Sequence, residues 1–114
     1  MLHYHAHVYW TDQISRSIAL GLRERLDELG CKLGRVHEKP IGPHPLPMYQ
    51  ALYDSSNQAE VESYLRDRSE GISILLHDDT GHHVKDHTDG ARWIGTALDL
   101  DIDLLAKIDA LGDH

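Results

Sequence analysis

Apolar and polar residues alternate with a period of two through Tyr4-His5-Ala6-His7-Val8-Tyr9, which predicts a β-strand. Tyr4, Ala6 and Val8 then share one face, and His3, His5 and His7 the other. The period lengthens at once. Ile14, Ile18, Leu22, Leu26 and Leu29 recur at spacings of four and three, one stripe of a helix. Thr11 and Asp12 offer N-cap oxygens, Gly30 suits the C′ position, and Arg16, Arg23 and Arg25 fall on a solvated face. A second strand is expected over Cys31 to Glu38. Lys39 to Pro47 follows, with Pro40, Pro43, Pro45 and Pro47 stiffening an extended connection that holds His44 between two prolines. Met48 to Tyr53 predicts a third strand. Ser55 with Gln58 fits a capping box for a short helix that faces inward through Val61, Tyr64 and Leu65. Ile72 to His77 predicts a fourth strand, with Ile72, Ile74 and Leu76 on one face and Ser73, Leu75 and His77 on the other.

The remainder reads as an extension. Thr80 to Asp89 is polar, with a short helix that sets His83 and His87 on one side. Arg92 to Gly95 is a short extended piece. Leu104, Leu105, Ile108 and Leu111 predict a last helix, stopped by Gly112. Strand, helix, strand, strand, helix, strand is the order of a ferredoxin-like βαββαβ fold. An α+β domain over residues 1–114 is therefore expected, an antiparallel sheet backed by two helices with a C-terminal loop and helix added. The expected strand order is four, one, three, two, with strands one and three parallel. That topology places the start of strand one, the start of strand three and the end of strand four at one end of the sheet. His3, His5, His44 and His77 meet there, with His7 one pleat further in and His37 on the far edge. His37, His82, His83 and His114 are read as surface residues.

Composition narrows the chemistry. The chain has 114 residues, a net charge of -8 and ten histidines. An acidic chain with few basic clusters argues against nucleic acid or an anionic membrane as partner, and no apolar run is long enough to span a bilayer. Cys31 stands alone, which excludes an internal disulfide and, with no Cys-x-x-Cys, zinc fingers, iron–sulfur clusters and thioredoxin chemistry, and fits a cytoplasmic location. The first strand begins at once, leaving no room for a signal peptide.

His-x-His on a strand places two imidazoles roughly 6.5–7 Å apart at their Cα atoms, close enough to lean onto one ion. His5, His7, His44 and His77 are thus the candidate metal ligands, and neutral imidazole suits zinc, copper, iron or nickel. Asp78, Asp79, Asp86 and Glu38 read as solvated charges, any one of which could supply a carboxylate. Tyr9, Tyr49, Tyr53 and Trp93 could wall a site for a planar ligand or belong to the core. The open sheet face would expose Leu75, Met48 or Tyr49, and Leu52 or Tyr53, so a homodimer is expected. From the residues alone, the chain reads as a metal-binding α+β domain.

Four blocks carry a resemblance. Tyr4-His5-Ala6-His7-Val8-Tyr9 is the first, and Gly42-Pro43-His44-Pro45 with Pro47-Met48-Tyr49-Gln50 the second. Gly71-Ile72-Ser73-Ile74-Leu75-Leu76-His77 is the third, and Asp86-His87-Thr88 followed by Ala91, Trp93 and Gly95 the fourth. In this order they resemble the DOPA 4,5-dioxygenase family. Gly81-His82-His83 and Asp78 depart from the family's pattern beside the matched blocks. The resemblance implies an enzyme that opens a catechol ring such as that of DOPA outside its two hydroxyls. It would use molecular oxygen and a metal, iron(II) first, with zinc or another divalent ion as alternatives. His5, His7, His44, His77 and His87 are the matching histidines. His5, His44 and His77 are then expected as ligands, His7 as a ligand or a neighbour that acts with one, and His87 as the acid–base residue. The rival expectations are a non-catalytic dimeric module binding a metal or small aromatic ligand, and a surface histidine cluster that associates with pH.

Overall fold

Strand β1 (His3–Tyr9) lies at the centre of the sheet because its alternation supplies a fully apolar face. The computed structural model describes residues 1–111, so Gly112 and His114 lie outside the described residues. Ala6 and Val8 are fully buried against the helical layer with Tyr4 and Trp10. Ile72, Ile74 and Leu76 join them from β4 (Ser73–Asp78) and the residue before it, and Tyr49, Ala51 and Tyr53 from β3 (Met48–Asp54). Each fully buried aliphatic side chain contributes about 1.5–3 kcal/mol of transfer free energy.

Helix α1 (Gln13–Gly21) starts at Asp12, whose side chain accepts from Ser15 N–H at 2.8 Å while Ser15 Oγ accepts from Asp12 N–H at 3.0 Å. This reciprocal cap draws Ser15 inward and leaves Ile14 76% exposed, against the expected stripe. The expected single helix tightens at Leu22, whose N–H bonds Ala19 three residues back, and continues as α2 (Arg23–Glu28). Gly30 closes it at φ 96°, in the left-handed region that favours glycine. Arg23 is not merely solvated: it donates to the Gly34 carbonyl at 3.0 Å and lies 4.7 Å over the Tyr49 ring.

The expected second strand shrinks to β2 (Lys32–Leu33). Gly34 passes so close to Gln50 that a Cβ would lie 3.3 Å from its carbonyl, and the chain then leaves the ladder, touching it again only as a bridge between His37 and Met48. Helix α3 (Gln58–Asp67) begins at Asn57 with no side-chain cap, so the Ser55–Gln58 box does not form. Instead the Asp54 side chain accepts from Ser56 N–H, and Asn57 Oδ1 accepts from Asp54 N–H.

The sheet order is β2-β3-β1-β4-β5, all neighbours antiparallel, with β5 (Ala91–Ile94) added beyond the expected four. The parallel pairing expected for strands one and three is wrong: His3 lies opposite Asp54 and Tyr9 opposite Met48. A βαβ crossover sends β2 the same way as β1, and the reversal that pairs β2 with β3 then turns β3 against β1. The start of β3 is therefore at the far end of β1 from His5.

The face opposite the helices is covered within the chain. Tyr9, Met48 and Leu75 are buried there beneath Leu46, Ala91, Trp93, Leu98 and Leu100. The exposed apolar face on which the expected homodimer rested is thus absent among the described residues. Helices α4 (His83–Asp86) and α5 (Ile102–Ala110) complete this extension. No helix is long and apolar enough to cross a membrane among the described residues.

On the helical side, Arg92 of β5 donates to both Glu62 oxygens, at 2.6 and 2.8 Å, and Tyr53 donates to the same carboxylate at 2.8 Å. Burial would raise the Glu62 carboxyl pKa, but the bonds from Arg92 and Tyr53 outweigh it and hold it down. Glu62→Ala should lower stability by about 1–3 kcal/mol in urea unfolding, because it strands a buried tyrosine hydroxyl and a guanidinium.

Candidate metal centre

The two-residue period of β1 carries His5 and His7 onto the face away from the helices, and pairing with β4 sets His77 directly opposite His5. His7 and His77 approach Nε2 to Nε2 at 2.8 Å. Two ring nitrogens this close either share a proton or share a cation. His5, His7 and His77 each present one nitrogen, and these atoms lie within 4.8 Å of one another.

Two further histidines arrive from outside these strands. His44 reaches His7, ring centroids 4.2 Å apart, although its strand starts at the opposite end of the sheet. The proline-rich segment before β3 doubles back across the open face. It is pinned where Trp10 N–H meets the Pro47 carbonyl at 3.3 Å and Asp101 N–H meets the Pro43 carbonyl at 2.9 Å. His87 follows α4 and lies 4.1 Å from the His77 ring. His5, His7, His44, His77 and His87 thus form one cluster. His3 is exposed, His37 half-buried beside Met48, and His82 exposed. His83, expected at the surface, is half-buried and bonded to Asp109.

Hydrogen bonds fix which nitrogen faces the centre. His77 Nδ1–H donates to the Asp78 carbonyl at 2.7 Å, and His87 Nδ1–H donates to the His83 carbonyl at 2.8 Å. Each Nε2 is therefore the lone-pair nitrogen. His44 Nδ1 and the Tyr9 hydroxyl share a hydrogen bond of 2.7 Å. His7 Nδ1 and His5 Nε2 are buried without a well-formed hydrogen bond. Asp79 Oδ2 lies 3.1 Å from that His5 nitrogen, within ion-pair distance but out of line for a hydrogen bond.

Burial keeps the cluster neutral. It pulls His77 down to about 3 and His44 to about 4, with the neighbouring His87 adding to both. Burial also holds His7 well below its ordinary value, helped by His44 and His77. His5 and His87 are also lowered by burial, opposed by Asp79 at His5 and by the bond to the His83 carbonyl at His87. Neutral imidazoles are the form that binds a metal, and five of them, with unpartnered buried nitrogens on His5 and His7 and no thiolate, fit a divalent ion. The cluster opens to solvent past His5 and His87; His7 and His77 are each 2% exposed.

Of the four carboxylates, Asp79 approaches the cluster. Glu38 pairs with Arg16 at 3.0 Å. Asp86, expected to be solvated, is buried and accepts from Thr80 N–H at 2.8 Å and Thr80 Oγ at 2.6 Å. Tyr49 and Tyr53 belong to the helical side, donating to the Ala19 carbonyl at 2.6 Å and to Glu62. Tyr9 and Trp93 stack at 5.9 Å on the histidine face. A cavity of about 610 Å³ opens beside Tyr9, between Trp10, Leu46, Gly71, Gly95 and Leu98. None of the five histidines lines it, so cavity volume and site chemistry disagree, and the donor geometry marks the site. Local pattern gave no sign of the Tyr9–His44 bond, the buried Asp86 or the Asp109 contact.

Known proteins resemble this chain in sequence and in fold. A DOPA 4,5-dioxygenase of Amanita muscaria is 33% identical over 107 residues, covering 88% of this chain and 47% of that protein. An uncharacterised 21.2 kDa protein of Botryotinia fuckeliana is 29% identical over 104 residues, covering 84% of this chain and 56% of that one. The chain thus spans about half the length of these two relatives. The crystal structure of a candidate dioxygenase from Nostoc punctiforme superposes with a TM-score of 0.88 at 40% identity, over 95% of this chain and 94% of that one. The Dopa 4,5-dioxygenase family model matches residues 4–104, a segment that carries all five clustered histidines: the chain belongs to that family.

Proposed function

We propose that the protein is a metal-dependent dioxygenase that opens a catechol ring outside its two hydroxyls. The observation that carries this reading is the neutral cluster of buried imidazoles with His7 and His77 nitrogens 2.8 Å apart. The family and the name of the Amanita relative support the reaction class. His5, His7 and His77 would hold the ion, with His44 as a fourth donor. Iron(II) bound there would bring catechol and oxygen together and supply the redox chemistry that couples them.

The chain's own groups do the rest. The carbonyls of Asp78 and His83 keep His77 and His87 in the tautomer that presents Nε2. The Tyr9 hydroxyl steadies His44. Burial of His7 and His77 keeps water from the inner side of the site. His87, at the mouth, accepts a catechol proton at Nε2 and returns it to the product, a role suited to an imidazole. Both atoms of the oxygen molecule enter the ring-opened product.

The test is anaerobic loading of the metal-stripped protein with iron(II), then catechol or DOPA and air, followed by absorbance and oxygen uptake. A yellow ring-opened product formed only with iron supports the reading. One bound metal with no oxygen uptake over a panel of catechols overturns it. His44→Ala is expected to keep the fold and lower turnover about 10–100-fold, the usual cost of removing a group at or beside a metal.

A further inference from the structure

His87 lies on no strand; it closes α4, a helix of four residues. One turn of helix does not hold itself in water, so something else must fix it. The N–H groups of His83 and Val84 donate to Asp109 Oδ1 and Oδ2, each at 2.9 Å, and the His83 ring Nδ1 lies 2.9 Å from the same Oδ1. The His83 carbonyl in turn accepts both the backbone N–H of His87, at 3.1 Å, and its ring Nδ1–H, at 2.8 Å. Asp109 belongs to α5 and lies beyond residue 104, where the family match ends.

We propose that Asp109 is a positioning residue for His87, fixing the tautomer and aim of its ring through the backbone of His83. The carboxylate supplies acceptors for two α4 N–H groups that would otherwise have none within the helix. It orders the carbonyl that holds the His87 ring. The other anchor of this region, Asp86 on Thr80, ties the preceding turn and does not reach His83. The C-terminal helix is thereby part of the site's machinery. The catalytic consequence rests on the dioxygenase reading; the positioning does not.

The test uses Asp109→Ala and Asp109→Asn in the full chain, with two readouts. The first is the His87 ring tautomer in metal-free protein labelled with nitrogen-15 histidine, assigned by its loss in His87→Gln. The parent is expected to show the Nδ1–H form, and Asp109→Ala a mixture of both tautomers. An unchanged tautomer in Asp109→Ala overturns the proposal whatever the activity. The second readout is steady-state turnover of iron-loaded protein with catechol. Misaiming an acid–base group by a fraction of an ångström is expected to lower kcat about 10–100-fold while KM stays within about twofold. A lost tautomer with unchanged kcat overturns the catalytic consequence. If the parent itself turns over no catechol, the dioxygenase reading fails and the tautomer still decides the role of Asp109. Should Asp109→Ala fail to fold, Asp109→Asn, which retains one acceptor oxygen, carries both readouts.

Discussion

His7→Leu is expected to lower metal affinity at least about 100-fold and to abolish ring opening, with the metal-free fold unchanged. His7 is the centre of the cluster. Its ring lies 4.2 Å from His44, 4.9 Å from His77, 6.1 Å from His5 and 6.2 Å from His87. The stability of the metal-free protein should change by no more than about 1 kcal/mol, because two effects oppose. Leucine removes the buried, unpartnered His7 Nδ1, but it also leaves His77 Nε2 without its 2.8 Å neighbour. Calorimetric titration with iron(II) under anaerobic conditions and urea unfolding of the metal-free variant check the two halves. Metal affinity equal to the parent's would remove His7 from the site. A large loss of metal-free stability would mean that the residue serves the fold first.

The metal-free protein is expected to lose stability steeply in mild acid. His44 and His77 fall to about 4 and about 3 in the fold, from an ordinary 6.5, chiefly because burial disfavours their charged forms. The unfolded chain therefore binds more protons than the folded chain across this window, so stability rises with pH there. It is complete above the unfolded value, declines as pH falls below 6.5, and levels off only below the folded values. Each unit of separation corresponds to about 1.4 kcal/mol, so the two residues together cost on the order of 3–5 kcal/mol by about pH 4.5. Urea midpoints measured with a chelator at neutral pH and in acid give the slope directly. A His77→Leu variant should show a smaller acid loss, since one of the three strongly depressed groups, His7, His44 and His77, is gone. An acid slope identical in parent and variant would mean that other groups carry it.

Much of the site is written in local pattern, and the reason is geometric. A strand's two faces follow from the two-residue repeat whatever lies beside it, so Ala6 and Val8 inward fixes His5 and His7 outward. The same holds for Leu76 inward and His77 outward on β4. His44 is different. Its presence in the cluster was expected from a pairing direction that does not occur: β1 and β3 run antiparallel, and the start of β3 lies opposite Tyr9. The histidine arrives because the proline-rich segment folds back over the sheet and is pinned by Trp10 and Asp101, contacts that no residue within the segment announces.

The helices divide in the same way. Gly30 ended its helix where a residue tolerant of positive φ must stand. Ile14, by contrast, fits the apolar stripe yet points to solvent, since the Asp12–Ser15 cap sets the rotation of the first turn. Ser55 and Gln58 satisfy a capping pattern that the turn at Asp54 and Asn57 displaces.

By itself, the sequence determined the order of the first four strands and their helices, the buried faces of β1 and β4, and the choice of histidine as the site's donor. Those follow from short-range repeats and from side-chain chemistry. Only the tertiary structure decided the direction of β3, the cover over Leu75, the burial of Asp86 and the hold of Asp109 on α4. These depend on contacts between residues far apart in the chain, whose strength comes from the water and the alternative partners they exclude, and a local pattern carries no record of either.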